Sequence, residues 1–221
     1  MTAKIEQKCL NDGLSSSKTQ HIVSKFHQSI GWNNSLDIMM PSAPLSAGTW
    51  AGIIELSAQS LMGAGLQIGI EEMLFWHESF GDIHANDQPL IPQLPDFFRY
   101  LKQLGIIISI CTSDDRRATN ACIRNWDIAH LIDYSICGDE GLETKPSPYP
   151  LVELCTRAGI MPHECMVVGD TSADTEMGRN SNAGLIVGVL TGSGTERQLL
   201  ETGAHIVLPN IECIKYLLVH M

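Results

Sequence analysis

The order of apolar and polar positions changes character at a proline-rich stretch. Residues 88–95 read QPLIPQLP, and three prolines in eight residues cannot lie inside one helix. Before this stretch, apolar residues recur at helical spacing in three segments, Thr19–Gly31, Trp50–Met62 and Ile70–Phe80. No clear strand is visible there, so we predict a mostly helical region over residues 1–90 and a second domain over residues 91–221.

After the prolines, short apolar runs alternate with segments of helical spacing. The runs predict five strands, Ile106–Cys111, Tyr134–Cys137, Cys165–Gly169, Leu185–Leu190 and Ala204–Leu208. The segments predict five helices, Asp96–Leu104, Arg117–Trp126, Pro148–Ala158, Asp174–Asn182 and Glu196–Glu201. Strands that alternate with helices predict an α/β fold, with a parallel sheet covered by helices on both faces.

Polar residues follow the predicted strands, where parallel sheets bind their ligands. Thr112, Ser113 and Asp114 come after one strand, and Asp170 and Asp174 come after another. The last two residues are four apart at a strand-to-helix turn, so their carboxylates lie on one face of the first helical turn. Two such carboxylates require a lysine, an arginine or a metal ion nearby.

A lysine in a constrained position is the third candidate. Lys145 lies in LETKPSPYPL, where a proline follows it directly before a predicted helix. Each of these residues also has an ordinary structural interpretation. A Lys-Pro pair is common in surface loops, Thr112 suits a turn, and Asp170 and Asp174 suit a helix cap.

Composition excludes several classes of partner. The chain is 44% hydrophobic and 18% charged, which is typical of a globular protein. Its formal net charge of −11 argues against a nucleic acid or an anionic membrane as partner, because phosphate backbones bind basic patches. A small phosphorylated ligand stays compatible, since a metal ion can reverse the local field.

The seven cysteines are scattered, with no Cys-x-x-Cys pair, which is typical of a reducing compartment. The polar N-terminus MTAKIEQK shows no signal peptide, and no apolar run reaches the length of a membrane span. We therefore predict a cytoplasmic protein. The oligomeric state is not predicted. Cys111 beside Thr112 is interpreted as a buried thiol at a strand end.

Residues from about Ile91 to Leu218 resemble the core of the haloacid dehalogenase-like superfamily, most closely its phosphoglycolate-phosphatase-type members. The resemblance rests on ordered motifs, Thr112 after a strand, Lys145 before a later helix, Asp170 with Asp174 in Gly-Asp-x-x-x-Asp, NAG at residues 182–184, and VLTGSG at residues 189–194. It implies a Rossmann-like core, an N-terminal helical cap and a Mg²⁺-dependent phosphatase of a small phosphorylated metabolite.

The resemblance also implies roles for individual residues. Asp170 would ligate Mg²⁺, and Asp174 would be a further ligand or would orient the first. Thr112 would donate a hydrogen bond to a phosphoryl oxygen, and Ser113 would help to bind the substrate. Lys145 would neutralise the phosphoryl group and the carboxylates.

One family motif has no counterpart in these 221 residues. The family's nucleophile is an aspartate in Asp-x-Asp-x-Thr, on a first strand that lies between the strands ending here at Thr112 and Asp170. No Asp-x-Asp occurs, and the nearest echo is Asp12 in LNDGLSS. We expect residues 1–88 to correspond to much of the cap, with an N-terminal piece lacking or the motif degenerate.

Two other functions therefore stay open. The first is a catalytically inactive module of the same fold that binds a phosphate ligand or a protein partner. The second is a dehalogenase, which shares the scaffold but works without Mg²⁺. The pair of Asp170 and Asp174 argues against the dehalogenase.

Overall fold

The computed structural model describes residues 1–35, 38–40, 43–44, 50–76, 91 and 93–218. The chain forms two compact units, Met1–His84 and Ala85–Met221. Most of the proline-rich stretch lies outside the described residues, as do residues 77–80 of the third predicted helix.

The first unit is largely helical. Its labelled elements are α1 (Thr2–Asn11), α2 (Ser16–Ile30), β1 (Trp32–Asn33), β2 (Ile38–Met39) and α3 (Trp50–Gly63), and residues 70–76 are also helical. The periodic segments correctly predicted α2 and α3. The antiparallel pairing of β1 with β2 corrects the expectation that this region has no strand. Two-residue strands are too short to show alternation, so the pattern could not reveal them.

Helix α1 also escaped prediction. Among its residues only Ile5 and Cys9 are buried, and two apolar positions one turn apart are too few to define a periodicity. Both side chains nevertheless join the core of this unit. That core also contains Ile22, Phe26, Ile30, Ile54, Ala58, Leu61, Leu66, Ile68, Met73 and Trp76. The first unit therefore owes its stability to helix-on-helix burial.

The second unit alternates helices with strands, as predicted. Its helices are α4 (Leu94–Gln103), α5 (Arg116–Asn125), α6 (Tyr149–Ala158), α7 (Ser172–Asn180), α8 (Glu196–Thr202) and α9 (Ile214–Leu218). Its strands are β3 (Ser109–Cys111), β4 (Tyr134–Ile136), β5 (Met166–Gly169), β6 (Leu185–Val189) and β7 (Ile206–Leu208).

Strand β3 is shorter than the predicted strand Ile106–Cys111. The Ile106 N–H donates to the Leu101 carbonyl at 3.1 Å, so Ile106 still closes the end of helix α4. An apolar run cannot show this, because the run continues through the turn. Helix α9 was also not predicted, since five residues are too few for a periodic signal.

The strands of this unit form two sheets. Strands β3 and β4 pair in parallel, and strands β5, β6 and β7 form a second parallel sheet in that order. The predicted α/β fold with parallel strands is thereby confirmed. Strands β3 and β5 both line a cavity of about 140 Å³. Among the described strands, β3 pairs with β4 and β5 pairs with β6, and neither has a second neighbour.

None of the described helices is both long enough and apolar enough to cross a membrane. The cytoplasmic location stays a prediction.

Candidate functional site

The carboxyl ends of β3 and β5 carry the candidate residues. Thr112 directly follows β3, and Asp170 directly follows β5. Asp174 lies in the first turn of α7, and Lys145 lies between β4 and α6. Thr112 and Lys145 line one small cavity, together with Cys111 and Gly138. The strand ends thus bring together residues that are far apart in the sequence.

The carboxyl ends of β3 and β5, with the candidate residues that follow them, are called the rim. A buried ion pair lies at its centre. The Lys145 Nζ atom donates to Asp174 Oδ1 at 2.7 Å, and the two side chains are 12% and 10% exposed. The same Nζ atom lies 3.5 Å from the carbonyl oxygen of Cys111, the last residue of β3. Lys145 therefore makes polar contacts with the end of β3 and with the first turn of α7.

Burial and charge act on Lys145 in opposite directions. Burial disfavours its ammonium group, but the adjacent Asp174 carboxylate outweighs this effect, so the pKa of Lys145 is raised above its ordinary value. Cys111 and Asp170 add to the rise. At neutral pH Lys145 is therefore a fixed cation at the rim, able to attract an anionic group.

Asp174 also begins helix α7. Its Oδ2 atom accepts the Thr171 N–H at 3.0 Å and the Thr171 hydroxyl at 2.6 Å, and its own N–H donates to Thr171 Oγ1 at 3.3 Å. This is a capping box. A Cβ on Gly169 would lie 2.2 Å from the Asp174 Cβ, so β5 must end in glycine for the carboxylate to fit. Both carboxylate oxygens of Asp174 thus have protein donors.

Asp170 lies against a glycine-rich loop. Its Oδ2 atom accepts the Ser193 N–H at 3.2 Å, and its carbonyl accepts the Gly194 N–H at 2.9 Å. A Cβ on Gly192 would lie 1.8 Å from Asp170 Oδ2, so only glycine allows the loop to approach this closely. The hydroxyl oxygen of Ser193 is buried without a hydrogen-bond partner within the described part of the chain.

The electrostatic environment of Asp170 differs from that of Lys145. Burial raises the pKa of the Asp170 carboxyl, and repulsion from Asp174 raises it further. The Ser193 N–H and Lys145 offset part of this effect. A carboxylate that is disfavoured in this way gains most from a cation, which is a property expected of a metal ligand.

The Thr112 hydroxyl forms hydrogen bonds with Asp114, which the sequence analysis did not predict. Its hydroxyl donates to Asp114 Oδ2 at 3.1 Å and accepts the Asp114 N–H at 3.1 Å. The backbone of Ser113 lies close to Gly138 in the loop after β4. A Cβ on Gly138 would lie 2.2 Å from the Ser113 carbonyl oxygen. The turn after β3 is therefore held tightly against the turn after β4.

Arg116 links these same two turns. Its N–H donates to Asp139 Oδ1 at 3.0 Å, and its Nη2 atom donates to the Ser135 carbonyl at 3.0 Å and forms an ion pair with Glu140. Glu140 also accepts the Cys137 N–H at 3.2 Å. The guanidinium thus fixes the loop that presents Thr112 and Ser113.

The Cys111 thiol is unsuited to nucleophilic chemistry. Burial raises its pKa to about 11, despite the opposing effect of Lys145. The thiol donates to the Met177 sulfur at 3.8 Å. Cys111 acts as a small apolar residue at the strand end.

The site offers a partial set of metal ligands. No three His, Cys, Asp or Glu side chains come together as a metal centre in the described ranges. Mg²⁺ needs few protein ligands, because it keeps several waters and binds through one or two carboxylates and the substrate phosphate. Asp170 fits that requirement as a ligand. Asp174 fits the alternative role of orienting its neighbours, since its oxygens already accept from Lys145 and Thr171.

A family model for haloacid dehalogenase-like hydrolases matches residues 42–182. The chain belongs to this family. The match spans both the end of the helical unit and the rim residues Thr112, Lys145, Asp170 and Asp174. The resemblance inferred from the sequence motifs is therefore confirmed.

Two curated relatives of this chain are phosphoglycolate phosphatases. The enzyme of Salmonella typhimurium is 27% identical over 157 residues, which are 66% of this chain and 60% of the enzyme. That of Mannheimia succiniciproducens is 30% identical over 90 residues, or 41% of this chain and 40% of the enzyme. The chain thus spans 40% and 60% of the length of these two curated relatives.

Solved structures of family members share the fold. A predicted phosphoglycolate phosphatase from Haemophilus somnus superposes with a TM-score of 0.70 at 17% identity, over 90% of this chain and 91% of that chain. A HAD family hydrolase from Deinococcus radiodurans, with bound phosphate and sodium, gives a TM-score of 0.63 at 18% identity over 91% and 89% of the two chains. At these identities the likeness concerns the fold.

The structure places four predicted site residues of this family member together, Thr112, Lys145, Asp170 and Asp174. Their roles and that of Ser113 stay predictions. The sequence reasoning missed the contacts that hold them, from Asp114, Arg116 and Ser193. Asp114 and Asp115, directly after Ser113, are typical of a turn and could have indicated the contact of Asp114. Gly192 and Gly194, on either side of Ser193, indicated that another group approaches this loop closely, but they did not indicate that this group is Asp170.

Proposed function

We propose that this chain carries the phosphate- and Mg²⁺-binding side of a phosphatase site for a small phosphorylated metabolite, of the phosphoglycolate phosphatase type. The observation that carries the proposal is the buried cation of Lys145 between the ends of two strands, 2.7 Å from Asp174 and in one cavity with Thr112. We also propose that residues 1–90 form the cap and residues 91–221 the core.

Phosphoryl transfer requires positioning of the phosphoryl group and neutralisation of its oxygens. Lys145 is a cation at neutral pH and supplies the charge. The Thr112 hydroxyl supplies a hydrogen-bond donor once it turns from Asp114 to the ligand, and Ser113 lies beside it. The structure of the family member from Deinococcus radiodurans contains bound phosphate, which supports a phosphate ligand for this chain.

Asp170 is the residue proposed to hold Mg²⁺, with Asp174 as the residue that orients the rim. The fit rests on the raised pKa of Asp170 and on the hydrogen bonds that already occupy Asp174. Bound Mg²⁺ would supply charge neutralisation for the phosphoryl oxygens. The Ser193 N–H and the close approach of Gly192 keep the Asp170 carboxylate in place.

Covalent transfer in this family also needs a nucleophilic carboxylate. Asp174 is committed to Lys145 and Asp114 to Thr112. A second function follows, which is an inactive module that binds a phosphate ligand or a protein partner. The observation that favours it is the separation of the strands into two sheets, which leaves β3 and β5 without a common neighbour among the described strands.

The two functions are separated by measuring Mg²⁺-dependent phosphate release from an aryl phosphate and from a panel that includes phosphoglycolate. An active phosphatase predicts release by the wild-type chain and none by Asp170→Asn. The matched control is Asp96→Asn, because this exposed carboxylate pairs with Arg99 outside the rim. Binding of inorganic phosphate is measured in parallel by calorimetry.

Release that persists in Asp170→Asn would show that the proposed Mg²⁺ ligand is wrong. A folded wild-type chain that binds phosphate without releasing it from any substrate would establish the inactive module instead. A chain that neither binds nor releases phosphate would contradict both the phosphatase and the phosphate-binding module, and would leave the protein-binding module.

A further inference from the structure

A buried hydroxyl lies in the loop between β6 and α8. The Oγ atom of Ser193 is buried and has no hydrogen-bond partner among the residues that the structure describes. Only one other side-chain nitrogen or oxygen in the same part of the chain shares this property, Ser57 Oγ in α3 of the first unit. A hydroxyl that is buried without a partner lowers stability, because it has given up its hydrogen bonds to water. Stability alone would therefore favour alanine over serine at position 193.

Backbone contacts fix this loop against the turn after β5. The Ser193 N–H donates to Asp170 Oδ2 at 3.2 Å, and the Gly194 N–H donates to the Asp170 carbonyl at 2.9 Å. A Cβ on Gly194 would lie 2.3 Å from the same carbonyl oxygen, so only glycine allows this approach. The Thr195 hydroxyl then accepts the Gln198 N–H at 3.3 Å and caps α8. Because consecutive residues of the loop are held in this way, the Ser193 hydroxyl is held in its buried position.

The Ser193 hydroxyl lies beside the carboxylate that is proposed to hold Mg²⁺. Since the N–H of the same residue contacts Asp170 Oδ2, only the length of one serine side chain separates the hydroxyl from that contact. The N–H presents the positive end of its dipole to Oδ2, which disfavours a cation on that side of the oxygen. The hydroxyl is therefore better placed to reach a bound ion through a water molecule than to ligate it directly.

The hydration of Mg²⁺ supplies a partner for such a hydroxyl. Mg²⁺ usually keeps several of its waters in a protein and binds through one or two carboxylates. A water on the ion directs its hydrogens away from the metal, so it needs acceptors nearby. A serine hydroxyl has two acceptor lone pairs. The oxygens of Asp174 already accept from Lys145 and Thr171, whereas the Ser193 hydroxyl is uncommitted among the described residues.

We propose that Ser193 is a positioning residue of the Mg²⁺ site, whose hydroxyl oxygen accepts a hydrogen bond from a water that the ion retains at Asp170. The loop after β6 then contributes to cation binding without supplying a ligand of its own. The ligand is a divalent cation that stays partly hydrated. This inference rests on the proposed function, because it requires Asp170 to hold the ion.

The first test measures the Mg²⁺ affinity of the full chain by NMR titration, followed at the amides of Ser193 and Gly194. Ser193→Ala removes the hydroxyl and keeps the N–H that contacts Asp170. Its Kd for Mg²⁺ should be about 10- to 100-fold higher than that of the wild-type chain, the usual loss when an outer partner of a metal site is removed. Ser193→Cys fills nearly the same space with a weak acceptor, so it should also raise the Kd and thereby exclude a packing effect.

The second test separates this role from a structural one. In a chelator, the unfolding midpoint of Ser193→Ala should equal or exceed that of the wild-type chain, because the variant removes an unpaired buried hydroxyl. Saturating the wild-type chain with Mg²⁺ should raise its midpoint more than the same Mg²⁺ concentration raises that of the variant. The matched control is Ser57→Ala, which removes the other unpaired hydroxyl. It should also keep or raise the midpoint, but its Kd for Mg²⁺ should equal the wild-type value.

Asp170→Asn separates failure of this inference from failure of the proposed function. If Asp170→Asn loses Mg²⁺ binding while Ser193→Ala keeps the wild-type Kd, the role of Ser193 is wrong and the proposed metal site stands. If Ser193→Ala is destabilised in the chelator, its hydroxyl has a partner within the protein and the inference is overturned. A wild-type chain that binds no Mg²⁺, or an Asp170→Asn variant that binds it equally well, would overturn the metal site and this inference together.

Discussion

The two sheets of the second unit hold their functional loops by different means. The loop after β3 is fixed by the Arg116–Glu140 ion pair, whose side chains are 34% and 25% exposed. The loop after β5 is fixed by the Lys145–Asp174 pair, which is nearly buried, and by backbone contacts to Asp170. One loop depends on a network near the surface and the other on charges within the protein.

This difference indicates where the molecule is sensitive to change. A partly exposed ion pair contributes little to stability, because water solvates either partner when the other is lost. A buried charge that loses its partner has no such compensation. We therefore expect substitutions on the side of β5 to have larger effects than equivalent ones on the side of β3.

The largest expected effect is that of Lys145→Met. This change leaves the Asp174 carboxylate buried beside Asp170 without a cation, and breaking a buried pair in this way costs about 3–5 kcal/mol. Urea unfolding followed by circular dichroism measures the loss. The double variant Lys145→Met with Asp174→Asn should recover most of it, since asparagine carries no charge and its side-chain oxygen can still accept the Thr171 N–H. A loss below that of Arg116→Ala would invert the comparison.

The next effect has the opposite sign. Asp170→Asn should raise the free energy of unfolding at pH 7 by about 0.5–2 kcal/mol, because it removes a buried carboxylate that Asp174 repels. The folded-state pKa of Asp170 lies above the unfolded value of 3.8, so ionisation of this group destabilises the folded protein. The advantage of the variant should therefore vanish as the pH falls below 3.8.

The effect of Mg²⁺ on stability is expected to differ between the wild-type chain and Asp170→Asn. If Asp170 holds the ion, saturating Mg²⁺ raises the unfolding midpoint of the wild-type chain but not that of Asp170→Asn. Equal shifts in both proteins would remove Asp170 from the metal site. Destabilisation by Asp170→Asn in the absence of Mg²⁺ would contradict the electrostatic account of the rim.

The smallest effect is expected on the side of β3. Arg116→Ala should cost at most about 1 kcal/mol, the usual upper range for a partly exposed ion pair. The matched control is Arg197→Ala, because the Arg197–Glu201 pair is 85% and 59% exposed and should contribute still less. Hydrogen exchange of the loop amides between Thr112 and Asp115 should nevertheless increase in Arg116→Ala alone. A loss as large as that of Lys145→Met would show that exposure is a poor guide here.

The sequence predicted the order of strands and helices in the second unit because each predicted element carried its own periodicity. It also predicted which strands end in polar residues, and therefore the positions of Thr112 and Asp170. It did not predict that Ile106 belongs to the end of a helix, because that depends on a hydrogen bond to Leu101. Short elements such as β1 and β2 are determined by pairing with each other, which no local pattern records.

The contacts that hold the site residues in place could not be predicted from the sequence either. Ser193 meets Asp170 across 23 positions of the chain, and Arg116 meets Glu140 across 24. Such contacts depend on where two loops lie after the strands have formed. The two carboxylates of Asp170 and Asp174 did predict a cation such as Lys145 close to them, since buried carboxylates require one. Charge balance was thus readable from the sequence, whereas the fixing of the loops was not.

The capping box at Thr171 has a consequence for any attempt to redesign this protein. Asp174 is at once the residue that starts a helix and the counter-ion of Lys145. Its two oxygens serve these tasks separately, so no single replacement preserves both a cap and a negative charge at the same distance. Changes in ligand preference are therefore easier to reach through the loops after β3 and β6 than through this position. A single replacement of Asp174 is therefore expected to disturb both the start of α7 and the environment of Lys145.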